Sequence, residues 1–180
     1  YIKNKYLSHM SFFNNDEYLN DLDLNKLITN QKNRKNFCDL DTFSIDPDSA
    51  QDFDDAISVK YKKNIYTLMV HIADVSEFVS EKSSLDSSAL QNGNSYYFPE
   101  KSYHMLPNDL ATRLCSLVPG EKRLAVSVCF QVTETGAIVK KYATLSVKKN
   151  KNRLSYDEVD EILSAPNSSK LHRNIYTLYK

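Results

Sequence analysis

Apolar positions recur every second residue in RLAVSVCFQVT. Leu124, Val126, Val128, Phe130 and Val132 share one side, while Ser127, Gln131 and Thr133 share the other. A period of two is that of a β-strand. Glu134-Thr135-Gly136 supplies a turn, and residues 137–147 return as a second strand. Residues 56–61 and 65–74 read as an earlier pair of strands joined by a polar turn at Lys62–Asn64. The period then lengthens. Leu85–Leu90 reads as a short helix, and Asp16–Ile28 as another near the start. Ser155-Tyr156-Asp157-Glu158 has the form of a capping box opening a helix to about Leu163, which Pro166 blocks from continuing. Leu171, Ile175, Leu178 and Tyr179 follow the i, i+4, i+7, i+8 spacing of an amphipathic helix. This mixed order predicts an α+β fold, a mixed or antiparallel sheet with flanking helices.

A terminal stripe with nothing after it, in a chain that starts at Tyr1, suggests a fragment whose packing partner lies in sequence outside these 180 residues. Residues 1–36 are rich in Asn and Lys and read as a helical lead-in segment; the β-rich domain is expected over 37–180.

The formal net charge is zero, so no global basic field advertises a nucleic-acid partner; such a partner has to be argued from local chemistry. Cys38, Cys115 and Cys129 are odd in number and far apart, which fits free thiols in a reducing compartment better than a disulfide framework. No apolar run approaches the ~18 residues of a membrane span.

One stretch departs from this ordinary background. From Asp39 to Asp55 there are seven Asp and no Lys or Arg. Asp46, Asp52, Asp54 and Asp55 fit neither one face of a strand nor one face of a helix, and Pro47 starts a turn, so an irregular loop is expected. Ile45, Phe53 and Ile57 are the apolar pegs that can hold it to the core. Were the four carboxylates to converge at ~5 Å in an effective dielectric of ~20, each pair would cost roughly 3 kcal/mol. Six pairs on the order of 20 kcal/mol exceed the ~5–15 kcal/mol stability of a whole fold. Such a site takes up protons or binds hard cations, Mg²⁺ or Mn²⁺. A solvated loop whose Asp side chains splay apart is the alternative. A calcium EF-hand is disfavoured: counted from Asp46, the positions that need Gly and Glu hold Gln51 and Ile57.

The stretch FSIDPDSAQDFDDAISV closely resembles the signature of the ribonuclease II / ribonuclease R family, the RNB catalytic domain. NRKNFCDLDTF upstream is similar to the family's lead-in. LMVHIADVSEFV, the SYYFPEKSYHMLPNDLATRLCSLVPGEKRLAVSV block and NRLSYDEVDEIL follow in the family's order, over about residues 33–164. The resemblance implies that 37–180 is the first half of an RNB-like domain, incomplete at its C-terminal end. It implies a cytoplasmic, Mg²⁺-dependent 3′→5′ exoribonuclease acting on single-stranded RNA, with no membrane partner. The later RNB half, which supplies an arginine and a glutamate near the scissile phosphate, and OB-type RNA-binding domains are expected in the full protein. By position, Asp46 and Asp55 correspond to direct metal ligands, Asp54 to the aspartate essential for chemistry, and Asp52 to support of a second metal or its waters. Tyr97 aligns with a tyrosine that stacks on the 3′-terminal base. His104 stands where the family usually has Pro, and Ala111 where Ser is common. The runner-up is a non-catalytic RNB-like module that holds RNA without cutting it.

Other residues read as structural. His71 and Asp74 suit a packed sheet and a braced turn, Tyr96 and Phe98 suit packing, and Cys115 a small buried apolar residue. Lys140, Lys141, Lys148, Lys149, Lys151 and Arg153 form a basic tract, read as a solvated face with phosphate contact as the alternative.

Overall fold

A computed structural model describes residues 27–29, 31–165 and 169–180. Most of the helix expected at Asp16–Ile28, and Pro166, lie outside the described residues. Among the described residues, nine strands can be numbered in chain order: β1 (Lys35–Asn36), β2 (Thr42–Ile45), β3 (Asp55–Lys62), β4 (Ile65–Ala73), β5 (Tyr96–Tyr97), β6 (Ser102–Tyr103), β7 (Lys122–Thr133), β8 (Ile138–Lys149) and β9 (Asn152–Leu154). Three α-helices among the described residues are numbered α1 (Ser84–Asn92), α2 (Tyr156–Ser164) and α3 (Lys170–Tyr179). Among the described residues, seven strands form one sheet in the order β1-β8-β7-β4-β3-β2-β9. The β1–β8 and β2–β9 pairs are parallel and the rest antiparallel, so the class is α+β with a mixed sheet, as expected.

Local chemistry accounts for the hairpins. Between β3 and β4, Lys63 and Asn64 both have positive φ, 53° and 61°, the conformation that a tight two-residue hairpin turn requires. The β7–β8 hairpin carries a register shift at Gln131/Val132. At α2 the capping box is closed both ways: Glu158 N donates to Ser155 Oγ at 3.2 Å, and Ser155 N to Glu158 Oε2 at 2.7 Å.

Two findings depart from expectation. The stripe of α3 finds its partner within the chain. Ile175 is buried with Phe43, Leu154 and Ile162, and Leu171 and Leu178 pack against the same cluster, so the helix lies over β2 and β3. Only Tyr179, at its far end, is left largely exposed. Residues 35–36, grouped by composition with the lead-in, belong to the sheet, where β1 pairs with β8; Arg34 just before them binds Asp74 at 2.6 Å and Glu77 at 2.7 Å.

The two sheet faces are not what apolar content suggests. Val126, Val128, Phe130 and Val132 are only half-buried, whereas Ala125, Ser127 and Cys129 on the opposite face are fully buried. A polar row crosses that covered face. His71 is buried, with Nε2 2.9 Å from Ser58 Oγ and Nδ1 2.7 Å from Ser127 Oγ; Ser127 Oγ in turn meets Ser146 Oγ at 2.6 Å. Desolvation takes the His71 pKa down to about 3, so the ring is neutral and structural, as its place in a strand suggested. Asp74 is the brace expected of it: Ser76 Oγ donates to its Oδ1 and Arg34 to its Oδ2. Cys115 is buried and desolvation lifts its thiol to about 12, which makes it inert.

Candidate metal and RNA site

The acidic segment lies between β2 and β3, and its backbone is fastened at several points. Asp46 N donates to Leu154 O at 3.0 Å, as β2 leaves the sheet beside β9. Phe53 is the plug: it packs with Ala56, Ala73, Leu85, Leu110, Leu114 and Leu117. Burying such a ring contributes about 1.5–3 kcal/mol. Its N–H donates to Ser116 Oγ at 2.9 Å, Ser116 Oγ donates to Gln51 O at 3.1 Å, and its carbonyl accepts from Leu117 N at 2.8 Å. Ile45 and Ile57 pack on the Phe43 cluster, so the three expected pegs hold the loop. Arg153 completes the brace, with Nη2 donating to Pro47 O at 2.8 Å and Asp48 O at 2.6 Å.

A loop so held presents its carboxylates to a groove of about 920 Å³, within the ~300–1,000 Å³ of ligand clefts. Asp46, Asp52 and Asp54 line it with Tyr97, Phe98 and His104. A smaller pocket of about 290 Å³ shares Asp52, Asp54, Tyr97 and His104 and is also lined by Ala73 and Cys115. Asp55 opens β3 and does not line either pocket, but its charge reaches Asp46 and Asp54. Desolvation raises the Asp54 pKa first, and Asp52, Asp55 and Asp46 raise it further. Asp54 keeps contact with solvent through the groove it lines. Asp46 is raised by desolvation and by Asp55 and Asp52, against the nearby Ser44 hydroxyl and the charge of Arg153.

Whether the donors fit a divalent cation is decided by their chemistry and spacing. The donor set is all oxygen, as Mg²⁺ and Mn²⁺ prefer. Asp46 Oδ2 is buried without a hydrogen-bond partner, a group whose desolvation a cation would offset. Among the described residues, however, no three Asp, Glu, His or Cys side chains stand at the spacing of one shared ligand shell. The four aspartates are thus electrostatic neighbours whose donor chemistry fits, but they stand wider than a closed cage.

The sequence-predicted Tyr97 is at the rim, 63% exposed, and its hydroxyl donates to Asp52 Oδ2. Desolvation, then that bond and the charges of Asp52 and Asp54, push its pKa up to about 12. Tyr96 and Phe98 are half-buried, and Phe98 meets Tyr103 edge-on at 6.0 Å, in line with packing roles. The basic tract does not stay together. Lys148 is fully buried, which corrects its reading as solvated or phosphate-facing: β8 turns it onto the covered face. Lys151 pairs with Asp41 at 2.9 Å, and Arg153 serves the acidic loop. His104, noted only as a departure from a family pattern, faces Asp52; nothing in its local sequence marks it as a site residue.

Residues 34–180 match the family model described as the RNB domain. The chain belongs to the RNB family. Ribonuclease R of Chlamydia pneumoniae is 46% identical over 151 residues, 82% of this chain and 22% of that protein. Ribonuclease R of Thermotoga maritima is 44% identical over 138 residues, 76% of this chain and 19% of that protein. The chain therefore spans about a fifth of the length of these curated relatives. The apo form of Mycoplasma genitalium RNase R superposes with a TM-score of 0.84 at 31% identity, covering 99% of this chain and 29% of its own. The same enzyme in complex with ribose-methylated single-stranded RNA gives 0.81 at 30% identity, over 94% of this chain and 27% of its own. Yeast Ssd1, a pseudonuclease, shares the fold with a TM-score of 0.72 at 24% identity, over 95% of this chain and 20% of its own. RNB architecture alone therefore does not decide catalysis; the side chains in the groove must.

Proposed function

We propose that this domain carries the acidic half of the active site of a 3′→5′ exoribonuclease, which releases 5′-mononucleotides from single-stranded RNA with Mg²⁺ or Mn²⁺. The observation that carries the reading is the gathering of Asp46, Asp52 and Asp54 on one groove, with Asp55 coupled to them. In this reading the four aspartates hold the metal. A bound divalent ion supplies activation of water and neutralisation of the phosphate and the leaving oxygen.

The chain's own residues do the rest. Phe53, Ser116 and Arg153 fix the loop, so that the carboxylates need little reorganisation to meet a substrate. The repulsion that raises Asp54 and Asp46 favours uptake of positive charge and keeps a bare phosphate out. The exposed ring of Tyr97 offers a stacking face for the terminal base, worth ~1–3 kcal/mol and tolerant of sequence. Hydrolysis adds water to phosphorus and expels the 3′ oxygen of the preceding nucleotide, which leaves the terminal nucleotide as a 5′-monophosphate.

The test is incubation of the full-length protein with end-labelled single-stranded RNA, in Mg²⁺ or in EDTA. Mononucleotide release in Mg²⁺ alone is the expected result. Binding without release in either buffer would instead favour a non-catalytic RNA-holding module.

A further inference from the structure

Asp52 differs from the other three aspartates in what holds it. Its Oδ2 accepts from the Tyr97 hydroxyl and lies 3.7 Å from His104 Nδ1, which has no hydrogen-bond partner. The His104 ring meets the Tyr97 ring edge-on, with centroids 6.2 Å apart. Backbone geometry places both groups. Tyr97 lies on β5 opposite Ser102 of β6, and His104 follows β6 directly. The base of this hairpin is closed by Met105 N donating to Ser95 Oγ at 2.9 Å and tied to α1 by Asn92 Nδ2 donating to Met105 O at 3.0 Å. The backbone that carries the donor to Asp52 is therefore a short, anchored hairpin.

We propose that Tyr97 is a positioning residue for Asp52: its hydroxyl fixes the carboxylate rotamer from which Asp52 helps to hold a divalent cation, and His104 braces the Tyr97 ring. The inference rests on the metal reading above and adds to it a role for the hydroxyl, separate from the stacking face of the ring. Outer-shell partners of metal ligands typically contribute 10–100-fold to metal affinity, because they orient the ligand before the ion arrives.

The experiment uses the full-length protein and Mn²⁺ alone, titrated calorimetrically without RNA, with melting curves as a check on folding. In Tyr97→Phe, which keeps the ring, the Mn²⁺ Kd rises about tenfold or more. RNA affinity measured in EDTA by fluorescence anisotropy falls further in Tyr97→Ala, which removes the stacking face, than in Tyr97→Phe. His104→Leu keeps the hydroxyl but removes the brace, and shifts the Mn²⁺ Kd in the same direction. Mn²⁺ binding as tight as wild type, or tighter, in Tyr97→Phe overturns the inference. A wild-type protein that binds no Mn²⁺, or whose binding ignores Asp46→Asn, instead overturns the metal reading on which it rests.

Discussion

Lys148 offers a direct test of how the sheet is built. Its side chain is 0% exposed and its Nζ has no hydrogen-bond partner. Desolvation lowers its pKa from 10.5 to about 7, against a small opposing pull from Asp55 and Cys38. Below pH 7 the ammonium is present in both the folded and the unfolded chain, and the fold bears its full desolvation cost. At ~1.4 kcal/mol per pKa unit that cost is about 5 kcal/mol, an upper figure because water entry and relaxation reduce it. As pH rises from 7 to 10.5 the folded chain sheds the proton that the unfolded chain still holds, so the cost falls away; above 10.5 it is gone. Lys148→Met keeps most of the aliphatic stem and removes the charge. The expected gain is about 1–4 kcal/mol at pH 6, in the range seen when buried ions are replaced by apolar groups. For a domain of this size that raises Tm by ~2–4 °C per kcal/mol. The assay is thermal unfolding of wild type and variant at pH 6 and pH 9.5. The gap should be wide at pH 6 and narrow at pH 9.5. An equal gap at both values, or a less stable variant at pH 6, would refute the burial of a cation at this position.

Three further outcomes are expected. His71, with its pKa lowered from 6.5 to about 3, contributes stability that is full above pH 6.5 and is lost as pH falls toward 3; His71→Gln should flatten that part of the acid-unfolding curve relative to wild type. Arg34→Ala leaves the Asp74 carboxylate, 2% exposed, without its cation; urea unfolding should show a loss of about 3–5 kcal/mol, partly recovered in the double variant with Asp74→Asn. Tyr97→Ala removes both ring and hydroxyl and should change the length of the final RNA product on a denaturing gel, whereas an unaltered ladder would count against a stacking role.

Much of the fold was legible because its signals are local. The alternation in RLAVSVCFQVT, the turn at Lys62–Asn64 and the Ser155–Glu158 box each need only neighbouring residues, and each is present. Periodicity divides a strand into two faces but does not say which one the chain will cover. Hence the Ser127 and Cys129 face became the buried one, while the apolar Val126 and Val128 row stayed half-exposed. Long-range partners were equally hidden. Arg34 meets Asp74 across 40 residues, and the α3 stripe meets Phe43 across more than 100. Lys148 reads as one of a solvated run until β8 is placed in the sheet. At the site, charge density and the Phe53 peg marked the loop, and the family resemblance picked out the four aspartates and Tyr97. The Ser116 and Arg153 anchors and the contact of His104 with Asp52 arise only when segments about 50–100 residues apart come together.

The central claim is that the aspartate loop performs RNA cleavage. It is tested most directly by Asp54→Asn in the full-length protein, measured as single-turnover hydrolysis of single-stranded RNA in Mg²⁺ alongside RNA affinity. Hydrolysis abolished with RNA affinity retained is the predicted result; hydrolysis at the wild-type rate would contradict it.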